Sequence, residues 1–225
     1  LSFTSGPQAS VERARERAAA LLGTQSAHFT LLEQIHSGAV IPASISDRGK
    51  RASPTVPKIG RGDALVTQEP GLPLAILVAD CVSVFLVDPA RRAVGLAHAG
   101  WRGTLAGIGR KTVRVMQNLY ETNPRDLLAW IGPGIGRCCF EVGTEVVDEF
   151  AAVFPDWNDC WSVEPRRIDL KEINVRTLIS EGLSAENIEV SDECTVCRPG
   201  YFSYRRDRPL KGHNMAALMI AESSG

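Results

Sequence analysis

The chain has 225 residues, of which 44% are hydrophobic, and its 25 basic and 26 acidic residues give a formal net charge of −1. This balance gives no bulk electrostatic attraction to nucleic acid or to an anionic membrane, and no apolar run reaches the roughly 20 residues that span a bilayer. Six cysteines in a chain long enough to build its own core indicate reduced thiols, so we expect a cytoplasmic protein with neither nucleic acid nor membrane as a partner.

The N-terminal quarter of the chain predicts one helix, one strand and one long loop. Residues 11–22 are rich in alanine, arginine and glutamate with amphipathic spacing, and Gly23 is a typical helix stop. Residues 28–35 contain an apolar run that is typical of a strand. Residues 42–62 contain three prolines and three glycines, which predicts a mobile surface loop.

The rest of the chain alternates between apolar runs of strand length and amphipathic runs of helix length. Strands are predicted at 74–78, 82–87, 93–97, 127–131, 188–190 and 215–220. Helices are predicted at 105–119, 145–153 and 170–181. The alternation has no strict βαβ rhythm, no internal repeat and no composition break, so we expect one α/β or α+β domain over residues 1–225.

Three strand-like runs end on a residue that can bind a metal: His36, Cys81 and His98. Two imidazoles and one thiolate with one open position form the ligand set of a catalytic zinc. The long gaps between the three residues mean that their spacing gives no independent support. The pattern indicates a candidate zinc site, and a hydrogen-bonded core histidine is the alternative interpretation of His98.

The segment 97–104, Ala-His-Ala-Gly-Trp-Arg-Gly-Thr, lies at a predicted strand-to-helix turn. Such turns lie at the open end of a sheet, where ligands usually bind. Gly100 and Gly103 let the backbone come close to a ligand, and Arg102 offers a phosphate or carboxylate a planar fork of donors. The segment therefore predicts a ligand-binding turn next to His98.

Cys81 also fits two other interpretations. As a nucleophile, it would be activated by His98 with Asp80 or Asp63 as the orienting carboxylate, as in a thiol hydrolase or an acyl transferase. As a small core residue, it would have no chemical role, which is the commonest outcome for a free cysteine.

The cysteines near the end of the chain carry a weaker signal. Cys194-x-x-Cys197 has the spacing of a metal or redox pair, but a structural zinc needs a second pair. The adjacent Cys138 and Cys139 have a spacing that predicts poor chelation. Arg-Pro-Gly at 198–200 follows the motif, in place of the helix that a thioredoxin-like role requires. We therefore expect neither a redox nor a structural metal role.

Two further segments are candidates for phosphate binding. The backbone N–H groups of residues 132–136, Gly-Pro-Gly-Ile-Gly, including Gly134, could cradle a phosphate. The dinucleotide-binding spacing fails at Arg137, and a plain turn is the alternative. Arg205 and Arg206 fit either a phosphate clamp or a solvated pair at a strand end.

The remaining titratable candidates have no supporting context. Glu141 and Asp207 would act as acid or base only if the fold brings them near the metal. His28 and His213 are predicted to be structural or exposed.

Several motifs occur in an order that resembles one known family. They are Gln34-Ile35-His36, Gly-Asp-Ala-Leu-Val-Thr at 62–67, Ala79-Asp80-Cys81, His-Ala-Gly-Trp-Arg-Gly at 98–103, Ile-Gly-Pro-Gly-Ile-Gly at 131–136, Cys-Phe-Glu-Val-Gly at 139–143, Asp-Glu-Cys-Thr at 192–195 and Phe-Ser-Tyr-Arg-Arg-Asp at 202–207. The block at 98–103 is highly specific. On these motifs the chain resembles the YfiH or laccase-domain family, also called polyphenol oxidases and peptidoglycan editing factors.

The resemblance implies a fold, a metal and an activity. The fold is a layered α/β/β/α domain related to the catalytic domain of bacterial deamidating toxins. The metal is zinc, bound by His36, Cys81 and His98, and copper would compete at the same site. The implied substrates are purine nucleosides and phosphate, because the family phosphorolyses adenosine, inosine and methylthioadenosine and deaminates adenosine.

The resemblance also suggests roles for residues around the metal. Asp80, Arg102 and Glu141 are the catalytic candidates, with Asp80 or Glu141 orienting the ribose or a metal ligand. Arg102, Arg205 and the turn at Gly134 would hold the phosphate as it attacks C1′ of the ribose. Deamination would use an activated water at C6 of adenine. We expect a monomer or a weak homodimer.

The chain departs from the family pattern at two places. Residues 3–7 lack the arginine and the glycine pair that are usual there, and His213 stands where an arginine is common.

A multicopper oxidase needs more histidines than the four present, so a copper-dependent polyphenol oxidase (laccase) activity would be adventitious. A cysteine amidohydrolase or peptidoglycan-precursor editing enzyme using Cys81, and a metal-dependent binding module without turnover, stay open.

Overall fold

Ten strands form three sheets in the computed structural model, which describes residues 8–50, 52, 55–209 and 212–222. The strands are β1 (Val40–Pro42), β2 (Ala64–Thr67), β3 (Leu74–Val78), β4 (Val82–Asp88), β5 (Ala93–Ala99), β6 (Leu128–Ile131), β7 (Trp161–Val163), β8 (Arg166–Ile168), β9 (Ile188–Val190) and β10 (Asn214–Leu218). No helix within these ranges is long and apolar enough to cross a membrane. The departure at residues 3–7 lies outside the described residues.

The α-helices end at the residues that the sequence marks as stops and caps. They are α1 (Gln8–Leu21), α2 (Trp101–Leu105), α3 (Ile108–Tyr120), α4 (Thr144–Val153), α5 (Leu170–Ser180) and α6 (Tyr204–Asp207). Gly23 and Gly182, just beyond α1 and α5, have left-handed φ angles of 68° and 101°. The Asp169 side chain accepts a hydrogen bond from the Glu172 N–H at 3.1 Å and caps the start of α5.

A six-stranded mixed sheet in the order β1-β2-β5-β4-β6-β9 forms the centre of the fold. Its four inner strands pair antiparallel, while β1 and β9 join the two edges in parallel. One face of this sheet is covered by helices: Val84 and Ala97 belong to the same buried cluster as Met116 of α3 and Ile173 of α5.

The other face of the sheet is covered by the antiparallel pair β3–β10. Ile76 of β3 packs in one buried cluster with Leu96 of the main sheet. Its neighbour Ala75 points the other way, into a cluster with Ala19 of α1. Because successive strand residues alternate between faces, β3 is buried on both sides. The layers therefore run helix, sheet, strand pair, helix, which confirms the expected α/β/β/α architecture.

The predicted strand at 28–35 is wrong. Its backbone N–H groups donate to carbonyls of three separate segments: Thr30 to Pro73, Leu31 to Lys50 and Glu33 to Gly60. No continuous ladder of hydrogen bonds therefore forms. The structure has only isolated bridges there, at Thr30 and Glu33. Phe29, Leu31 and Leu32 of this run are buried in a packed loop, which the sequence pattern alone does not separate from a strand.

The predicted helix at 105–119 begins earlier and is divided in two. Helix α2 starts at Trp101, and Gly107, with a φ of 70°, separates it from α3. Arg102 therefore lies on the first turn of a helix and not in a turn before it. The other predicted helices and strands are confirmed to within a few residues, while the hairpin β7–β8 was not predicted.

Candidate functional site

The antiparallel pairing of β4 with β5 places the start of one strand beside the end of the other. Cys81 directly precedes β4, where Val82 pairs with Ala99. His98 lies near the end of β5 and pairs with Ser83. Cys81 and His98 therefore meet at the same edge of the main sheet.

Asp63 reaches the same edge along β2. It directly precedes Ala64, which pairs with Ala97, and its backbone carbonyl accepts the His98 N–H at 2.7 Å. Its side chain is fully buried and lies 2.9 Å from Nδ1 of His98. A carboxylate that accepts the Nδ1 proton leaves Nε2 as the nitrogen available to a metal.

His36 lies in a loop that is held by the same carboxylate. The backbone N–H groups of Ile35, His36 and Ser37 donate to Asp63 at 3.3, 3.0 and 2.5 Å, and the Ser37 hydroxyl donates at 2.8 Å. These bonds hold His36 at a φ of 58°, in the left-handed region that a non-glycine residue adopts only where its surroundings impose it. Asp63 thus positions both histidines of the site.

The predicted metal ligands come together as one cluster. The ligand atoms of His36, Cys81 and His98 all lie within 4.8 Å of one another. The two imidazole rings meet edge to face, with their centroids 4.9 Å apart. His98 is buried, Cys81 is half-buried and His36 is exposed, so the cluster opens on one side. One thiol and two imidazoles with an open side are a donor set that fits a zinc or copper ion.

The electrostatics of the cluster favour an ion pair between His98 and Cys81. Burial works to lower the pKa of His98, but hydrogen bonds with Asp63 and Cys81 raise it to about 9. Burial works to raise the pKa of Cys81, but hydrogen bonds from His36 and His98 lower it to about 7. Burial also works against ionised Asp63, yet hydrogen bonds from His98 and Ser37 lower its pKa to about 2. Metal binding must therefore displace a proton from His98.

Gly100 is the residue that gives the cluster room to form. A Cβ atom at this position would lie 2.9 Å from Sγ of Cys81 and 3.3 Å from Cδ2 of His36. Its φ of −69° is open to any residue, so the requirement for glycine comes from the close approach and not from the backbone. This contact accounts for the glycine that follows the His98-Ala99 pair.

A cavity of about 780 Å³ opens over the three residues. This volume is within the usual range for sites that bind small molecules. Its charged lining residues are the cations Lys58, Arg102, Arg205 and Arg208 and the carboxylates Glu33 and Asp80. Its aromatic lining residues are Trp101, Phe140 and Tyr204. The excess of cations suits an anionic ligand, and the rings suit a planar one.

Two arginines predicted to bind phosphate line this cavity in different states. The Arg102 guanidinium lies 4.0 Å from the centre of the Trp101 ring. Arg205 donates to the backbone carbonyls of Cys139 and Glu141 at 3.0 and 2.9 Å. Because these bonds occupy part of its donor fork, Arg205 orders the cavity wall and has fewer donors left for a ligand.

Asp80, predicted to be catalytic, also lines the cavity, but its carboxylate is held by protein groups. One oxygen accepts the Thr195 hydroxyl and the other accepts the Arg205 backbone N–H, both at 2.6 Å. The Asp80 carbonyl accepts the Ile135 N–H at 2.8 Å, and its φ is 79°. Asp80 thus ties two other segments to the backbone directly before Cys81.

Three other predicted residues are not among the described residues that line the cavity: Gly134, Glu141 and Asp207. Glu141 is exposed and contributes its backbone carbonyl to Arg205. The Asp207 carboxylate accepts hydrogen bonds from its neighbour Arg206. The roles suggested for these residues stay predictions.

Several residues of the cavity had no role in the sequence analysis, among them Gln34, Tyr204, Arg208 and His213. Gln34 exchanges two hydrogen bonds of 2.8 Å with the backbone of Leu77, which anchors the His36 loop to β3. The Arg208 guanidinium lies 4.5 Å from the centre of the Tyr204 ring. His213, predicted to be structural or exposed, is half-buried and lines the cavity. Gln34 and Tyr204 lie in the motifs that carried the resemblance. His213 was noted there only as a departure from the family pattern, and Arg208 had no signal.

The later cysteines, for which we expected neither a redox nor a structural metal role, form a cluster. Cys138, Cys139, Cys194 and Cys197 lie together, with all four sulfur atoms within 4.8 Å of one another. Sequence spacing failed here because the two pairs meet through the parallel pairing of β6 with β9, a contact between distant segments. None of the six cysteines forms a disulfide in the structure.

A family model described as "Multi-copper polyphenol oxidoreductase laccase" matches residues 2–221. The chain is 37% identical over 210 residues to "Purine nucleoside phosphorylase YlmD" of Geobacillus stearothermophilus, covering 91% of this chain and 76% of that protein. It is 39% identical over 149 residues to "Adenosine deaminase RL5" of an unknown prokaryotic organism, covering 64% of this chain and 56% of that protein.

The fold is also similar to solved structures. The crystal structure of YlmD from Geobacillus stearothermophilus aligns with a TM-score of 0.92 and 35% sequence identity, covering 99% of this chain and 84% of that one. A mixed α/β fold around a six-stranded mixed sheet is thus the architecture of this chain and of its structural relatives.

Proposed function

The chain belongs to the multi-copper polyphenol oxidoreductase laccase family, and from this membership we propose that it is a purine nucleoside phosphorylase with a metal centre at His36, Cys81 and His98. The observation that carries the proposal is the position of this cluster in a cavity lined by cations and aromatic rings. Relatives with 34–37% identity over more than 90% of the chain carry the name purine nucleoside phosphorylase.

The three ligand residues fit a single zinc ion with an open position toward the cavity. When bound, zinc supplies a Lewis acid that polarises oxygen and activates water. Asp63 holds the proton of Nδ1 and so keeps His98 in one orientation, while its bonds to the loop at 35–37 keep His36 in place. The centre is thus pre-ordered by one buried carboxylate.

Phosphorolysis joins an oxygen of phosphate to C1′ of the ribose while the bond from C1′ to the purine nitrogen breaks. The electron pair of that bond leaves with the purine, which takes up one proton. Arg102 is the proposed phosphate ligand, because it lines the cavity, whereas part of the Arg205 fork is occupied by backbone carbonyls. Trp101 and Tyr204 are the proposed stacking surfaces for the purine.

Asp80 is proposed as a positioning residue and not as a proton carrier. Both its carboxylate oxygens accept short hydrogen bonds from the protein, one from Thr195 and one from Arg205. It therefore holds the backbone before Cys81 and the segment that carries Arg205 in a fixed relation. Glu141 could transfer a proton only if its exposed side chain moved into the cavity.

Adenosine deamination is the second candidate, because a relative with 39% identity carries the name adenosine deaminase. In this reaction an oxygen from water replaces the amino group at C6 of adenine, and ammonia is released. An ion held by His36, Cys81 and His98 would supply a Lewis acid that activates the water. A nucleophilic Cys81 is the competing chemistry, since its thiol contacts both histidines and its pKa is lowered to about 7. Removal of the metal separates the two, because a thiol nucleophile keeps its activity in a chelator.

The test is to incubate the purified protein with adenosine, with and without phosphate, and to resolve the products by chromatography. We expect adenine and ribose 1-phosphate only with phosphate, and inosine as the product of deamination without it. His36→Ala is expected to abolish both reactions. His28→Ala is the matched control, because His28 does not line the cavity and its Nδ1 lies 3.1 Å from the Thr24 hydroxyl. Full turnover in His36→Ala would overturn the proposed metal centre.

A further inference from the structure

The cysteine cluster is a second group of metal-binding side chains, separate from the centre at His36, Cys81 and His98. Sγ of Cys197 lies 3.4 Å from Sγ of Cys139 and 3.8 Å from Sγ of Cys138. A zinc ion with four thiolates at about 2.3 Å would hold the sulfur atoms about 3.8 Å apart. The cluster is therefore already close to the size of one tetrahedral site.

The fold builds this cluster through the parallel pairing of β6 with β9. Ile131 pairs with Val190, so both strands end at the same edge of the sheet. The two exiting segments stay in contact, because Gly134 bridges to Cys194 and the Gly136 N–H donates to the Cys194 sulfur at 3.2 Å. Each segment then delivers two thiols to one place.

Backbone N–H groups and two cationic side chains surround the cysteine cluster. The Gly136 N–H donates to the sulfur of Cys194, as in metal-binding turns whose amides point at a thiolate. Two cations lie beside the cluster. Lys171, only 7% exposed, donates to the carbonyls of Ser191 and Glu193 and feels the charge of Cys194.

The second cation is Arg206. Its guanidinium donates to the carbonyls of Thr195, Val196 and Arg198 and so encloses the turn that carries Cys194 and Cys197. A zinc ion with four thiolates would have a net charge of −2, which Lys171 and Arg206 would offset in part, since Arg206 is also paired with Asp207.

From this geometry we propose that Cys138, Cys139, Cys194 and Cys197 bind a structural zinc ion. The four thiols release their protons on binding, and no oxidant is needed. Disulfides would bring paired sulfur atoms to about 2.05 Å. The sulfur of Cys197 lies 3.4 Å from that of Cys139 and 3.8 Å from that of Cys138, closer to the spacing of one tetrahedral site. An iron–sulfur cube does not fit, since its cysteines bind different iron atoms and must lie further apart than one tetrahedral site allows.

The proposed ion would fix one wall of the cavity. The Cys139 carbonyl accepts a hydrogen bond from Arg205, and the next residue, Phe140, lines the cavity. On the other segment, Thr195 lies between two of the cysteines and donates to Asp80, directly before Cys81. The ion would thus hold both segments against the residue that precedes a ligand of the first centre.

Metal content separates the two sites without relying on activity. We expect about two zinc ions per chain in the protein refolded or purified with zinc, and about one in Cys81→Ala and in the double variant Cys138→Ser/Cys197→Ser. Cys160→Ala is the matched control with about two, because Cys160 is a free thiol outside both clusters. One zinc ion in the wild type and none in Cys81→Ala would overturn the proposal.

Cobalt spectroscopy tests the ligand set even if the double variant fails to fold. Cys81→Ala loaded with Co²⁺ keeps all four proposed ligands, so we expect the intense visible and sulfur-to-cobalt bands of a tetrahedral site with four thiolates. Absence of these bands, or a disulfide among the four cysteines in protein purified without oxygen, would contradict the proposal. Because neither readout uses turnover, these experiments test the structural zinc site independently of the phosphorylase activity.

Discussion

Nδ1 of His98 lies 2.9 Å from Oδ1 of Asp63, and the same carboxylate accepts the backbone N–H of His36. One fully buried aspartate thereby fixes two candidate metal ligands that come from different segments of the chain. The two histidines and Cys81 are brought together by this residue and by the β2–β5–β4 pairing, and not by their spacing in the sequence. The first prediction follows from this relationship.

Asp63→Asn should weaken zinc binding by about 10- to 100-fold, because the neutral amide no longer fixes the His98 ring or its tautomer. The measurement is a competition titration against a chelator of known affinity. Asp169→Asn is the matched control: Asp169 caps α5, asparagine caps equally well, and zinc affinity should not change. Equal zinc affinity in Asp63→Asn and the wild type would contradict the positioning role.

Zinc affinity at the first centre should rise with pH between about 7 and 9. Above the Cys81 pKa of about 7 the thiolate is present, whereas His98, with a pKa of about 9, still holds a proton that binding must displace. One proton released per zinc gives about a tenfold gain in affinity per pH unit, with a plateau above about 9. Titration of Cys138→Ser/Cys197→Ser isolates this centre. A flat profile over this range would contradict the His98–Cys81 ion pair.

Gly100→Ala should lower zinc affinity while leaving the fold intact. The new Cβ would lie 2.9 Å from the Cys81 sulfur, so this ligand must shift, whereas a φ of −69° accepts alanine without strain. Gly60→Ala is the control, since its Cβ would meet Ile41 at an ordinary 3.9 Å. Zinc content and the thermal unfolding midpoint of both variants give the answer. Unchanged zinc binding in Gly100→Ala would show that the cluster has more room than the structure indicates.

Arg102→Gln should raise KM for phosphate and lower kcat/KM by about 10- to 100-fold, the cost of losing a charge-assisted hydrogen bond of about 1.5–3 kcal/mol. Steady-state rates at varied phosphate and fixed adenosine measure this effect. Arg17→Gln, on the exposed face of α1, is the control for the loss of one positive charge. A phosphate KM that is the same in Arg102→Gln and the wild type would assign phosphate binding elsewhere in the cavity.

The sequence was sufficient to predict the parts of the site that depend on local pattern. Cys81 and His98 flank apolar runs, and those runs are strands, so their place at strand ends could be inferred. The role of His36 came from a strand prediction that was wrong, because that segment is a packed loop whose hydrogen bonds go to several partners. Its position depends on Asp63, a contact between residues that the sequence separates.

The parts that the sequence did not predict depend on pairing between distant strands. The cysteine cluster requires β6 to lie parallel to β9, and no pattern in either strand specifies that partner. The hydrogen bonds of the Asp80 carboxylate could not be predicted either, because its partners Thr195 and Arg205 lie far from it in the sequence. The expectation of a single domain over residues 1–225 stays a prediction.

The most direct test of the central claim is the rate of ribose 1-phosphate formation from adenosine and phosphate in Cys81→Ala and Cys160→Ala, with metal content measured in both. The account predicts that Cys160→Ala keeps the wild-type rate, while Cys81→Ala loses about one zinc ion and falls to the background rate. Undiminished ribose 1-phosphate formation in Cys81→Ala would contradict the claim that His36, Cys81 and His98 form the reactive centre.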